Sequence, residues 1–134
     1  MKNFTLDPSM RASIGGAFYP SGYSFVMFPN AQDADRVGRG LMEKGLSGDE
    51  VYLLPAATVL AEITPTVTTA DDPLPSAGTD AATVRAFTKL AREGHTALLV
   101  KTKDDDAAAT LMAVVRTVPY SIAQRYRMLV IEDL

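Results

Sequence analysis

The chain has 134 residues, 47% hydrophobic and 22% charged, which is enough apolar side chain for the core of a single globular domain over residues 1–134. A formal net charge of -3 leaves no cationic footprint for a polyanion, so nucleic acid is disfavoured as a partner. The absence of cysteine excludes a disulfide framework, a thiolate metal site and a cysteine nucleophile, and it fits a reducing compartment.

Residues 1–8 lack the basic region and apolar run of a signal peptide, and no apolar run approaches the roughly 20 residues needed to span a bilayer. A cytoplasmic protein with no membrane partner is expected. Residues 1–22 mix Pro8, Gly15, Gly16, Pro20 and Gly22 with Phe4, Phe18 and Tyr19, a turn-rich aromatic arm that packs on the domain or on a partner. Tyr23 to Pro29 is apolar on both alternating faces and ends at a proline, which predicts a strand inside a sheet.

Asn30 can cap a helix over 31–44, with Ala34, Val37, Leu41 and Met42 on one stripe and Gly45 at the left-handed stop. Gly38 and Gly40 inside it cost up to about 1 kcal/mol each relative to alanine, which the spacing assigns to close helix-on-sheet packing. A strand over 51–54, a short helix from Pro55 to Ile63 and a long Pro-rich loop over 64–78 follow. The remaining elements are a helix from Thr79 or Asp80 to Glu93, a strand over 96–102, a helix opened by Asp104, Asp105 and Asp106, and a strand over 125–132.

Two helices between the second and third strands turn the chain back on itself, so those strands should be antiparallel. The order predicts an α+β, ferredoxin-like split βαβ sandwich with a two-helix and long-loop insertion between strands 2 and 3, its helices on one face. Because neither face of the first and last strands is consistently polar, the open face calls for a second copy. A homodimer, sheet to sheet, is expected.

Chemistry-bearing patterns are sparse. Gly38-Arg39-Gly40 sits in a helix and lacks the spacing of a phosphate loop, and acids at two helix starts repel anions there. Asp104 to Asp106 reads as helix capping instead of a metal site, and Asp71-Asp72 as solvated turn residues. No metal or cofactor is expected. His95 is the single histidine and follows Gly94, where an imidazolium interacts well with terminal carbonyls; a Ser-His-Asp array would have to use it. Tyr126 with Arg125 and Arg127 forms the one local basic ridge. His95, Tyr126 and Arg127 are the candidate ligand-binding residues.

Phe28, Ala34, Leu41, Gly45-Leu46, Asp49, Val51 and Leu53 resemble the strand-helix-strand signature of the small heat-induced and general stress proteins of bacteria. The match covers residues 25–54, with an echo at Glu93-Gly94 and Leu98-Leu99-Val100, while the 64–78 loop and the aromatic arm depart from that family's pattern. The resemblance implies a ferredoxin-like fold and a stress-linked or regulatory setting, and it carries over no catalytic residues. The expected function is a non-enzymatic dimeric domain that binds a partner protein or a small ligand. The alternative is a small enzyme of the dimeric α+β barrel type, with an apolar pocket between facing sheets and His95, Tyr126 or Arg127 as its polar groups. An RNA-binding role is the third reading, and it requires affinity that falls steeply with salt.

Overall fold

The computed structural model describes residues 1–13, 15–67 and 78–134, so most of the 64–78 loop, Asp71 and Asp72 included, lies outside the described residues. The described chain is a mixed α+β structure built on one six-stranded sheet: β1 Lys2–Asn3, β2 Tyr23–Phe28, β3 Val51–Leu54, β4 Thr96–Lys101, β5 Ile122–Tyr126 and β6 Ile131–Asp133. Their spatial order is β1-β3-β4-β2-β5-β6. β4 and β5 flank β2 antiparallel to it, β3 runs antiparallel to β4, β6 to β5, and only β1 joins in parallel, to β3. The antiparallel β3–β4 pair is the one expected from two intervening helices.

Four helices connect these strands: α1 Ala31–Glu43, α2 Ala56–Thr58 running on as a π-helical turn over Val59–Ile63, α3 Gly78–Arg92, and α4 Asp105–Val115. Their ends follow local chemistry. The Asn30 side chain accepts from the Gln32 amide at 2.8 Å and that of Asp104 from the Ala107 amide at 2.8 Å, each satisfying a donor the first turn leaves open. Gly45 (φ 107°) and Gly94 (φ 91°) take the positive φ that stops α1 and α3.

Strand alternation then sorts the core into two layers. Val26 and Phe28, with Leu98 and Val100, meet Ala34, Val37 and Leu41 of α1 and Leu111, Met112 and Val115 of α4. On the opposite face Phe25, Met27, Ala97 and Leu99 meet Val59 and Ile63 of the π-turn, Val84, Phe87 and Ala91 of α3, and Phe4 and Phe18 of the arm. Helices therefore lie on both faces, where the sequence pattern led us to expect one. The π-turn and α3 between β3 and β4, with the arm, cover the second face, so sheet-to-sheet pairing has no free face to use.

Two further expectations change. The predicted strand over 125–132 is a hairpin: β5 ends at Tyr126, the Arg127 amide donates to the Val130 carbonyl at 2.9 Å, and β6 returns from Ile131. No glycine, proline or asparagine marks this turn, and its apolar alternation reads as uninterrupted strand. The α1 glycines also answer to other neighbours than the sheet. A Cβ on Gly38 would collide with the Met1 thioether, and one on Gly40 would stand 3.2 Å from Val114 Cγ1 of α4. Gly40→Val should force α1 off α4 and lower stability by about 1–3 kcal/mol in urea titrations. An unchanged midpoint would mean that the α1–α4 contact is not tight.

Candidate functional site

The three sequence-predicted residues do not converge. His95 precedes β4 and Tyr126 closes β5, and β2 pairs with those strands through Phe28↔Thr96 and Ser24↔Arg125. Four residues of β2 thus separate the two places, roughly 14 Å along the sheet. The His95 Nδ1 lies 2.7 Å from the Ser121 hydroxyl on the surface, tying the start of β4 to the start of β5. No carboxylate among the described residues is hydrogen-bonded to this imidazole, so serine and histidine lack the orienting third group of a hydrolytic triad.

Arg127 is half of a fixed ionic network. Its Nε donates to Glu132 at 3.0 Å and its NH2 group to Asp105 at 2.9 Å, while Arg125, buried, donates to the same Asp105 oxygen at 2.7 Å. The two guanidiniums thereby clamp the β5–β6 hairpin to the first turn of α4. The Asp105 carboxyl is held below its ordinary 3.8 first by the Arg125 hydrogen bond and then by the charges of Arg127 and Arg125. A lowered folded-state value contributes stability that is present above pH 3.8 and lost as pH falls through the folded value. Acid unfolding curves of Asp105→Asn should therefore converge on wild type at the lowest pH and lie below it above 3.8; parallel curves would show that the network contributes nothing.

Tyr126 leads to the most distinctive place in the molecule. Its side chain is 1% exposed, yet among the described residues its hydroxyl has no hydrogen-bond partner, an uncommon state for a buried polar group. The Tyr19 ring packs edge-on against it at 4.8 Å and sends its own hydroxyl to the Arg127 carbonyl at 2.5 Å. Burial pushes the Tyr126 hydroxyl well above its ordinary 10.0, and the charges of Asp80 and Tyr19 push it further. Asp80, in the first turn of α3, is itself raised above 3.8 by burial.

Tyr19 and Asp80 border an open cleft of about 440 Å³, lined also by Ser9, Arg11, Met128 and Leu129 among others. Three segments build it: the arm, the start of α3 and the tip of the β5–β6 hairpin. Met128 (83% exposed), Leu129 (92%) and Val130 (55%) stand in succession at that tip, and Tyr120 (37%) is the other large apolar side chain left exposed among the described residues.

No family model matches the chain, and no curated protein or solved structure does either.

The cleft brings together an acid, a phenol and exposed apolar side chains, Asp80, Tyr19, Met128 and Leu129. Among the described residues no cluster of three or more histidine and acidic side chains can hold a metal ion, and no helix is long and apolar enough to cross a membrane. Sequence reasoning named Tyr126, which packs against Tyr19 behind the wall, and did not name Tyr19, Asp80 or the hairpin tip. Tyr19 and Asp80 are 61 positions apart along the chain, in an arm and a helix whose packing together follows no local pattern. The one available signal was the run Met128-Leu129-Val130 itself, apolar on both faces with nothing in the sequence to cover it.

Proposed function

We propose that the chain is a non-catalytic binding domain on a ferredoxin-like split βαβ core, and that it takes a small ligand in the cleft under the β5–β6 hairpin. The core reading is supported by the order β3-β4-β2-β5 with α1 and α4 as its two crossovers; β1 and β6 are additions at the edges. The observation that carries the binding reading is a cleft of about 440 Å³ walled by Tyr19 and the half-buried Asp80, with exposed Met128 and Leu129 at its lip and the buried Tyr126, its hydroxyl unpartnered among the described residues, packed against Tyr19.

Against the dimeric barrel enzyme stands the second sheet face, filled by α3, the π-turn and the arm, where that architecture needs an open pocket. The testing pair is a fragment screen by amide NMR and the variant Tyr126→Phe. Fragment-induced shifts should gather at Tyr19, Ser21, Asp80, Met128 and Leu129. Tyr126→Phe should raise stability by about 1–3 kcal/mol, since it deletes a desolvated hydroxyl and little packing. Shifts scattered over the surface, together with a destabilised Tyr126→Phe, would remove the proposal.

A further inference from the structure

The binding reading leaves the ligand's chemistry open, and the charges around the cleft narrow it. Asp80 is half-buried at the cleft wall, and burial is what raises its carboxyl; no cation among the described residues acts to lower it. Arg11, also on the wall, donates its Nε to the Gly16 carbonyl at 2.7 Å and is not among the charges that act on Asp80. The Tyr19 ring adjoins the same space, and an aromatic face attracts cations. Met128 and Leu129 offer the opposite chemistry at the lip, with two long apolar side chains already in water. An acid with no counter-cation among the described residues, an aromatic ring beside it and an apolar lip are complementary to one kind of molecule.

From this juxtaposition, and resting on the binding reading above, we infer that the cleft accepts a small organic ammonium, its cationic head toward Asp80 and Tyr19 and its apolar body against Met128 and Leu129. An anion is disfavoured by Asp80, and Arg11, the cation on the wall, is held by its Nε to the Gly16 carbonyl. A neutral apolar molecule would bury the same surface but leave the carboxylate desolvated and unpaired.

Three probes of equal length separate these cases: n-hexylammonium, 1-hexanol and hexanoate, titrated into the protein labelled with 15N and with 13C at the methyl groups. Hexylammonium should shift the Met128 and Leu129 methyls and the Asp80 amide, with hexanol at least about tenfold weaker and hexanoate weaker still. Asp80→Asn should weaken hexylammonium about tenfold and leave hexanol unchanged, whereas Lys44→Gln, at the exposed end of α1 and away from the cleft, should alter neither. Dispersed amide spectra of both variants provide the folding check. If hexanol or hexanoate binds at these residues as tightly as hexylammonium, or if Asp80→Asn has no effect, the cationic assignment fails and the cleft remains a binding site. Should none of the three probes move a cleft resonance, the assignment and the binding reading fall together.

Discussion

Phe18→Ala is expected to lower the unfolding free energy by about 3–5 kcal/mol, among the largest losses available to a single substitution in this chain. Phe18 belongs to the arm, where composition alone equally fits a fraying tail. Its ring is 0% exposed and meets Phe4, Phe25 and Tyr126 edge-on at 6.1, 5.7 and 5.9 Å. Its amide donates to the Thr66 hydroxyl at 3.0 Å, and that hydroxyl donates in turn to the Ile63 carbonyl at 2.7 Å, so the arm is stitched to the turn after α2 as well as packed on the sheet. Truncation would open a void between three aromatic rings and loosen the wall of the cleft that Tyr19 supplies. Chemical denaturation should show a lower midpoint with an unchanged slope, as for a loss of packing in a cooperative unit. A loss below about 1 kcal/mol would mean that the arm detaches before the sheet unfolds, in which case the cleft is only intermittently formed.

The reliability of sequence patterns here tracks how local the determining physics is. Tyr23 to Phe28, the α1 stripe closed by Gly45, and the strands at 51–54 and 96–101 were legible because propensity, capping and periodicity agree within each window. The antiparallel return of β4 was legible from counting helices. What escaped was decided by partners far along the chain. Alternation in Phe25-Val26-Met27-Phe28 says that both faces are buried; it does not say whether α3 or another molecule does the burying. The Gly38 and Gly40 requirement came from Met1 and from Val114, both remote in sequence. The hairpin at 127–130 uses no turn-specific residue, and its clamp, Arg125 and Arg127 on Asp105 and Glu132, joins charges that the sequence alone could read only as a basic ridge and a helix cap. Of the site, Tyr126 was legible as a candidate, His95 belongs to the other end of the sheet, and Arg127 contributes its carbonyl to Tyr19 while its guanidinium is engaged elsewhere.

Phe87→Ala should cost a comparable 3–5 kcal/mol, and the form of the loss decides what covers the second sheet face. Phe87 of α3 is stacked on Phe25 of β2, ring centres 4.2 Å apart and planes 28° from parallel, and both rings are 0% exposed. Val84 and Ala91 lie on the same stripe of α3, so the helix presents a continuous apolar seam to Phe25, Met27 and Leu99. With the ring removed, this seam would no longer seal the sheet, and a dye that reports exposed apolar surface should bind the variant more than the wild type. If the chain's own helix is the cover, the unfolding midpoint of the wild type will not change over a hundredfold range of protein concentration. A face covered instead by a second copy would behave differently: the midpoint would climb with concentration by mass action, and Phe87→Ala would be nearly silent. That pair of results would restore sheet-to-sheet pairing and require α3 to leave the sheet on association.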